Sequence, residues 1–394
     1  GRGSVFADTE YTRKGARIIS KTKELWRKAK LVVKVKELQR KEYRYLKYMK
    51  GKIIFAFWHL ADKRAKRLTK KLLKHRVIAI GFETIVVDGK TPVLTEMSNF
   101  AGRSAGNEII RCYFKDAKKV VILGAGPAGE NAALEAATDK RSVTIIEKKP
   151  ERRAELRQFF EKKGLLNNIN ILEATLEPDT DFEKMPEEIR AALKEADVII
   201  GAAYQPGKPA TPLINKKALK AIGKGKLIID IAIDQGGNIY GSKPTTHDKP
   251  VFKKFGNIYY CVANMPSVKA KDGASEALSG AIVKYVCSLA SGINKAIENH
   301  PELKGAIYTI NGWLVNEDVA RKHNLLKKYK PVDEALALVR EQKSSGSPIK
   351  DSSVNKIAKQ GAASPLAHAI SSPVGEKEGK QPYSQEKKTF WSTW

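Results

Sequence analysis

Residues 120–147, VVILGAGPAGENAALEAATDKRSVTIIE, constrain the fold more tightly than any other stretch of the chain. The apolar run 120–123 suits a strand buried on both faces. Gly124, Gly126 and Gly129 follow at G-x-G-x-x-G spacing, then a helix-forming segment at 131–137 and a second apolar run at 143–146 closed by Glu147. The first glycine permits a tight turn, the second lets backbone approach a pyrophosphate, and the third lets helix pack on strand. Free N–H groups at the helix start meet the phosphate charge, and Ala125 and Ala128, between the glycines, are expected at the cofactor with them. Glu147, about twenty residues on, stands where a carboxylate can accept both ribose hydroxyls, which favours NAD over NADP. Lys148, Lys149 and Arg152 pull the other way, because they would soften repulsion of a 2′-phosphate. A glycine-rich turn alone explains the glycines. It does not explain strand, glycines, helix, strand and acid in register.

The chain has 394 residues, enough for two domains with ample cores. Cys112, Cys261 and Cys287 are widely spaced and odd in number, so neither a disulfide framework nor a metal site is expected. Cys261 and Cys287 sit in apolar runs and read as small core residues. No long uncharged apolar stretch and no signal peptide are evident, so the expectation is a soluble, cytoplasmic protein without a membrane span. A mitochondrial location or a place in a large intracellular assembly is the alternative. The net charge is +29, and residues 1–75 hold 24 Lys and Arg against six Asp and Glu. Such a balance draws a protein to polyanions, RNA among them. Solvated helix faces are the preferred explanation: Ala61, Ala65, Leu68 and Leu72 share one face at helical spacing, with lysines on the other. No interleaved aromatics suggest base stacking.

Residues 1–99 alternate apolar runs with charged helical patterns. Strands are expected at 16–19, 31–35, 53–57 and 77–80 and helices at 21–30 and 63–74, a βαβ rhythm with a parallel sheet. The rhythm repeats with strands at 120–123, 143–146, 169–172, 198–201, 227–231 and 258–262. A long helix over 268–291 returns to the first domain. Beyond about Leu338 the composition turns to Ser, Gly, Pro, Lys and Gln, which cannot bury enough apolar surface to fold alone. The expected architecture is α/β: two Rossmann-like, doubly wound domains with an active-site cleft between them and an irregular C-terminal tail. Residues 1–99 with 265–338 form the substrate domain, 100–264 the dinucleotide domain and 339–394 the tail.

The motifs LVVKVKE (31–37), IIFAFWHLA (53–61), FETIV (82–86), MSNFAGR (97–103), VVILGAGPAG (120–129), DVIIGAAYQPG (197–207), IIDIAIDQGG (228–237), TTHDKPVF (245–252) and YYCVANMP (259–266) occur in that order. With them the chain resembles the alanine dehydrogenase and transhydrogenase alpha-subunit family, from Gly1 to about Leu338. The transhydrogenase branch lacks the histidine of HLA and the aspartate of IDQGG. This chain keeps both, so it resembles the soluble dehydrogenase branch.

The resemblance implies NAD-dependent, reversible oxidative deamination of L-alanine to pyruvate and ammonia, with a small amino acid or 2-oxo acid as substrate. It makes His59 the acid/base and Asp234 the residue that orders the reacting water or amine, with Lys36 binding the substrate carboxylate. It also places Ser98, Arg152, Ala202, Ile231, Asn264 and Met265 at the cofactor, beside the glycine loop and Glu147. The residue types suit the chemistry, which needs a cation for the carboxylate and a group titrating near neutrality for imine and carbinolamine protons. Bland readings stand beside these: a surface lysine, a satisfied core histidine and a loop-solvating aspartate. Family hexamers imply a homo-oligomer. The chain starts after the family's opening strand and its carboxylate-pairing arginine, so a complementing chain is expected to supply that strand unless it has been lost. The connection after AGR is shortened, and Asn99 replaces a glutamate. These departures leave one alternative: an enzyme-derived structural subunit of a large assembly, RNA among its contents, with little or no activity.

Overall fold

The computed structural model describes residues 6–204, 209–210 and 212–344, without the side chains of 269–272 and 339–344. Two sheets organise them. The first comprises β1 (Leu31–Val33), β2 (Ile53–Ala56) and β3 (Ile78–Gly81). The second contains β4 (Lys119–Leu123), β5 (Ser142–Ile146), β6 (Ile169–Leu172), β7 (Val198–Gly201), β8 (Leu227–Asp230), β9 (Val251–Lys254) and β10 (Asn257–Tyr260). The chain then returns to the first sheet through β11 (Ile307–Ile310) and β12 (Trp313–Leu314).

The strand order in the second sheet is β6-β5-β4-β7-β8-β10-β9. All neighbours are parallel except the β9–β10 pair. The order reverses at β4, between β5 and β7, and ligands of open α/β sheets bind at such a switch point. In the first sheet β1, β2 and β3 are parallel, while β11 and β12 close it antiparallel. Both sheets are covered on both faces. Ile53 and Phe55 enter one core and Ile54 and Ala56 another; Val120 and Ile122 likewise separate from Val121 and Leu123. Burial on two sides is why these strands read as unbroken apolar runs.

Helix Pro92–Gly106 joins the two halves. Val93 and Met97 pack in the core of the first sheet, and Ala101 and Ala105 in that of the second. The boundary expected at 99/100 therefore falls inside a helix that serves both. Its C-terminal half lies against helix Pro127–Thr138 at backbone contact. A Cβ on Gly102 would stand 2.2 Å from the Ala128 carbonyl oxygen, and one on Gly106 2.2 Å from that of Ala132. Asn99, in place of the family's glutamate, accepts a hydrogen bond from Asn131 Nδ2 at 3.1 Å across this contact. The shortened connection keeps a helix, Glu108–Tyr113, whose Ile109 and Ile110 are buried.

Four local expectations are corrected. Residues 16–19 form no strand: they join no sheet among the described residues, and Ile18 is 49% exposed. The helix expected over 268–291 is broken, with a 3-10 segment Met265–Asp272 ahead of Ala274–Ala290. Gly273 lies between them at φ +98, a left-handed conformation that ends one helix and starts the next. Cys287 is exposed, because Leu278, Tyr285 and Leu289 carry the buried face of that helix. The last helix, Val332–Ser344, runs past Leu338; the rest of the expected tail lies outside the described residues. No helix among the described residues is long and apolar enough to cross a membrane.

The glycine contacts yield a prediction. Gly102→Ala must push the two helices apart, at a cost of about 1–3 kcal/mol for overpacking. Calorimetry should show a lower Tm, and titration with NADH a weaker complex, because Ala128 and Gly129 open the helix that follows the glycine loop. An unchanged Tm would mean that the helices are not in contact there.

Candidate active site

Strand register brings the candidate residues to one edge. Leu123 pairs with Gly201, and Gly201 with Asp230, so Gly124, Ala202 and Ile231 emerge side by side at the carboxyl ends of β4, β7 and β8. Gly124 turns at φ +87, and a Cβ there would meet Ala203 at 2.8 Å. Gly126 faces open space, as close approach of a ligand requires, and Gly129 packs on the Gly124 carbonyl, where a Cβ would stand 2.0 Å away. Helix Pro127–Thr138 begins there with Pro127, Ala128 and Gly129.

An open cleft of about 940 Å³ is lined by Gly124, Ala125, Gly126, Glu147, Arg152 and Ala202, among others. Glu147 accepts the N–H of Ala125 through Oε2 at 2.9 Å and that of Lys149 through Oε1 at 3.0 Å. Arg152 donates from Nε to the Ala125 carbonyl at 2.8 Å and pairs with Glu130 and Glu155 at 2.5 and 2.8 Å. It thus braces the glycine loop. Ser98, Ala128, Gly129, Ile231, Asn264 and Met265 do not line this cleft. Met265 is buried in the core of the second sheet, and the Asn264 carbonyl accepts from Ser267 Oγ at 2.8 Å with His247 Nε2 3.1 Å away. The loop, helix and carboxylate fit a dinucleotide.

Lys36, His59 and Asp234 come together from opposite sheets. Lys36 follows β1 and His59 follows β2, while Asp234 lies in the 3-10 segment Ile231–Gln235 after β8. Asp234 Oδ2 stands 2.5 Å from Lys36 Nζ and 3.7 Å from His59 Nε2. Arg64 adds a third contact between the halves, donating to the Ile233 carbonyl at 3.2 Å while paired with Asp62 at 2.5 Å. None of the three candidates lines the 940 Å³ cleft; Asp234 follows β8 on the sheet that carries the cleft, whereas Lys36 and His59 belong to the other sheet.

The far side of His59 is also engaged. Its Nδ1 lies 3.1 Å from Glu37 Oε2, and its ring stacks on Phe57 with centroids 6.0 Å apart. Its backbone is left-handed, at φ +50, a strained state for a non-glycine residue. Glu83 holds it there: this carboxylate is 1% exposed and accepts the N–H of His59 at 2.9 Å, that of Trp58 at 3.0 Å and the Tyr308 hydroxyl at 3.0 Å. Burial and then the Glu83 charge raise the Tyr308 hydroxyl well above its usual range, so it stays a donor.

Burial and the Lys36 ammonium act to lower the His59 pKa, but Asp234 and Glu37 outweigh them and raise it above 6.5. Burial works against the charge of Glu37 as well, yet its bond to His59 and the charges of His59 and Lys36 bring it down to about 2. What the lowered Glu37 pKa adds to stability is complete above the ordinary carboxylate range and lost as pH falls towards 2. What the raised His59 pKa adds is complete below 6.5 and lost as pH rises through the folded value. The Glu37 side chain is 43% exposed, so screening keeps the carboxylate's contribution small.

Glu37, Glu83 and Arg64 were not singled out in the sequence. Glu83 carried a usable signal, a lone carboxylate directly after an apolar strand. Asp230 was likewise overlooked. It is fully buried, accepts the N–H groups of Asn238 and Ile239, and is pushed up to about 6 by burial. It anchors the loop that follows Asp234.

Comparison with known proteins identifies the family. "Alanine dehydrogenase/PNT, N-terminal domain" matches residues 1–101, and "Alanine dehydrogenase/PNT, C-terminal domain" matches 104–317. An alanine dehydrogenase of Staphylococcus saprophyticus is 35% identical over 354 residues, covering 85% of this chain and 89% of the relative. One of Methanococcus maripaludis is 33% identical with the same coverage. A solved L-alanine dehydrogenase superposes with a TM-score of 0.66 at 30% identity, over 81% of this chain and 87% of that one. A transhydrogenase from Sinorhizobium meliloti, at 20% identity and a TM-score of 0.61, shares the fold. The chain belongs to the alanine dehydrogenase/PNT family.

Proposed function

We propose that this protein is an NAD-dependent alanine dehydrogenase, which converts L-alanine reversibly to pyruvate and ammonia. One observation carries the reading: the carboxylate of Asp234 faces both Lys36 and His59 across the space between the sheets. The relatives named above are enzymes by name, and none of them favours the structural-subunit alternative. NAD is preferred to NADP because Glu147 closes β5 and Arg152 is committed to Glu130, Glu155 and the Ala125 carbonyl. The family's hexamers support a homo-oligomer.

The roles follow from charge and reach. Lys36 exchanges Asp234 for the substrate carboxylate, which fixes C2 relative to the sheet edge. Asp234, so released, accepts from the amine and from the water that adds to the imine carbon. His59 in its neutral form takes the proton of that water and returns it as ammonia leaves. Glu37 orients the imidazole and favours its charged form, while Glu83 fixes its backbone. Gly124–Gly126 and Glu147 hold the dinucleotide, and the bound nicotinamide supplies the hydride acceptor.

Alanine-dependent NADH formation tests the reading directly. His59→Ala should lower kcat by about 10²–10⁴-fold, the range for loss of a general acid/base. Lys36→Ala should act mainly on KM, by roughly 10–100-fold, because a charge-assisted bond of about 1.5–3 kcal/mol is lost. Wild-type protein that binds NADH yet turns over no alanine would refute it. The acid limb of the deamination pH profile should lie above 6.5, since His59 must lose its proton first. Glu37→Gln should move that limb to lower pH, and an unmoved limb would mean that Glu37 does not act on His59.

A further inference from the structure

Helix Lys66–Lys74, with Arg64 ahead of it, borders a second concavity, a surface groove of about 540 Å³. It is lined by Arg64, Lys66, Arg67, Lys70, Lys71 and Lys74. No carboxylate lines it, and residues 63–76 contain neither Asp nor Glu. Asp62, next in the chain, is taken by Arg64. Leu68, Thr69, Leu72 and Leu73 are buried against the first sheet, so the helix is fixed with its cations on one side. Lys66–Lys70, Lys70–Lys74 and Arg67–Lys71 are like-charge pairs at i,i+4 spacing, each destabilising to the helix. The neighbouring His75 registers the positive field: burial first, then Lys71 and Lys74, lower its pKa. Arg64 also contacts the Asp234 loop, but the lysines of the groove have no part in the dehydrogenase chemistry derived above.

We propose that this groove binds the phosphodiester backbone of nucleic acid without reading its bases, independently of the dehydrogenase site. A groove lined by cations alone offers no aromatic for stacking and no apolar side chain to enter a membrane. An acidic protein partner would need a desolvated anchor pocket, and the lining supplies none. What remains is neutralisation of closely spaced phosphates with release of their counterions, which also relieves the repulsion along the helix.

The test is fluorescence polarisation of a labelled short DNA duplex at a series of salt concentrations. Full-length wild type is compared with Lys66→Gln/Lys70→Gln/Lys74→Gln and with a charge-matched control, Lys162→Gln/Lys163→Gln/Lys253→Gln. Wild type and control should show the same steep fall of affinity with salt. The groove variant should lose about 2.7 from the log–log slope, at roughly 0.9 for each phosphate neutralised. Arg64 is kept intact because it touches the Asp234 loop, so alanine turnover should match wild type in both variants, and the groove variant, relieved of two like-charge pairs, should melt no lower than wild type. Equal slopes in the two variants would overturn the proposal, as would capture by phosphatidylserine vesicles with no binding to the duplex.

Discussion

Asp234 is the charge on which the candidate site depends. A half-buried carboxylate facing an ammonium and an imidazole from another sheet is stable only while both halves keep their relative placement. That placement rests on the helix shared between the two cores and on its glycine contacts with the nucleotide helix. The same contacts align the glycine loop with the carboxyl ends of β7 and β8. Cofactor loop and acid/base group are therefore set by one packing arrangement. The ion pair contributes little stability, since its side chains are 28% and 26% exposed. What it offers is a cation and an anion at one point, each exchangeable for a group on an amino acid.

The nucleotide fold was legible in sequence because its signals are local. Two-sided burial gives continuous apolar runs, and a tight turn demands glycine; both leave marks within a few residues. The strand over 16–19 failed for the opposite reason, since a strand needs a neighbour and that segment joins no sheet among the described residues. The break at Gly273 was hidden by strong helix formers on its C-terminal side. β11 and β12 gave no readable pattern of their own, because they are defined by return to a sheet built more than two hundred residues earlier.

In the site, the three principal residues were legible only through family motifs. Lys36, His59 and Asp234 are far apart in sequence, and nothing in composition or period links them. Their supporting carboxylates were less visible still. Glu37 and Glu83 act through hydrogen bonds that depend on backbone direction after β1 and β3, which spacing does not encode. Arg152 illustrates the same limit: placed at the cofactor by resemblance, it braces the loop through Glu130 and the Ala125 carbonyl. The positive charge divides similarly. Much of it is solvated helix surface, but around Lys66–Lys74 the fold gathers it into one groove.

The central claim is that Asp234 lies close enough to His59 to hold a proton on it. NMR titration of ¹⁵N-labelled imidazole reads this without turnover, in wild type and in Asp234→Asn. The account predicts a His59 pKa above 6.5 in the wild type and a clear fall in the variant. A His59 that titrates identically in both proteins would contradict it.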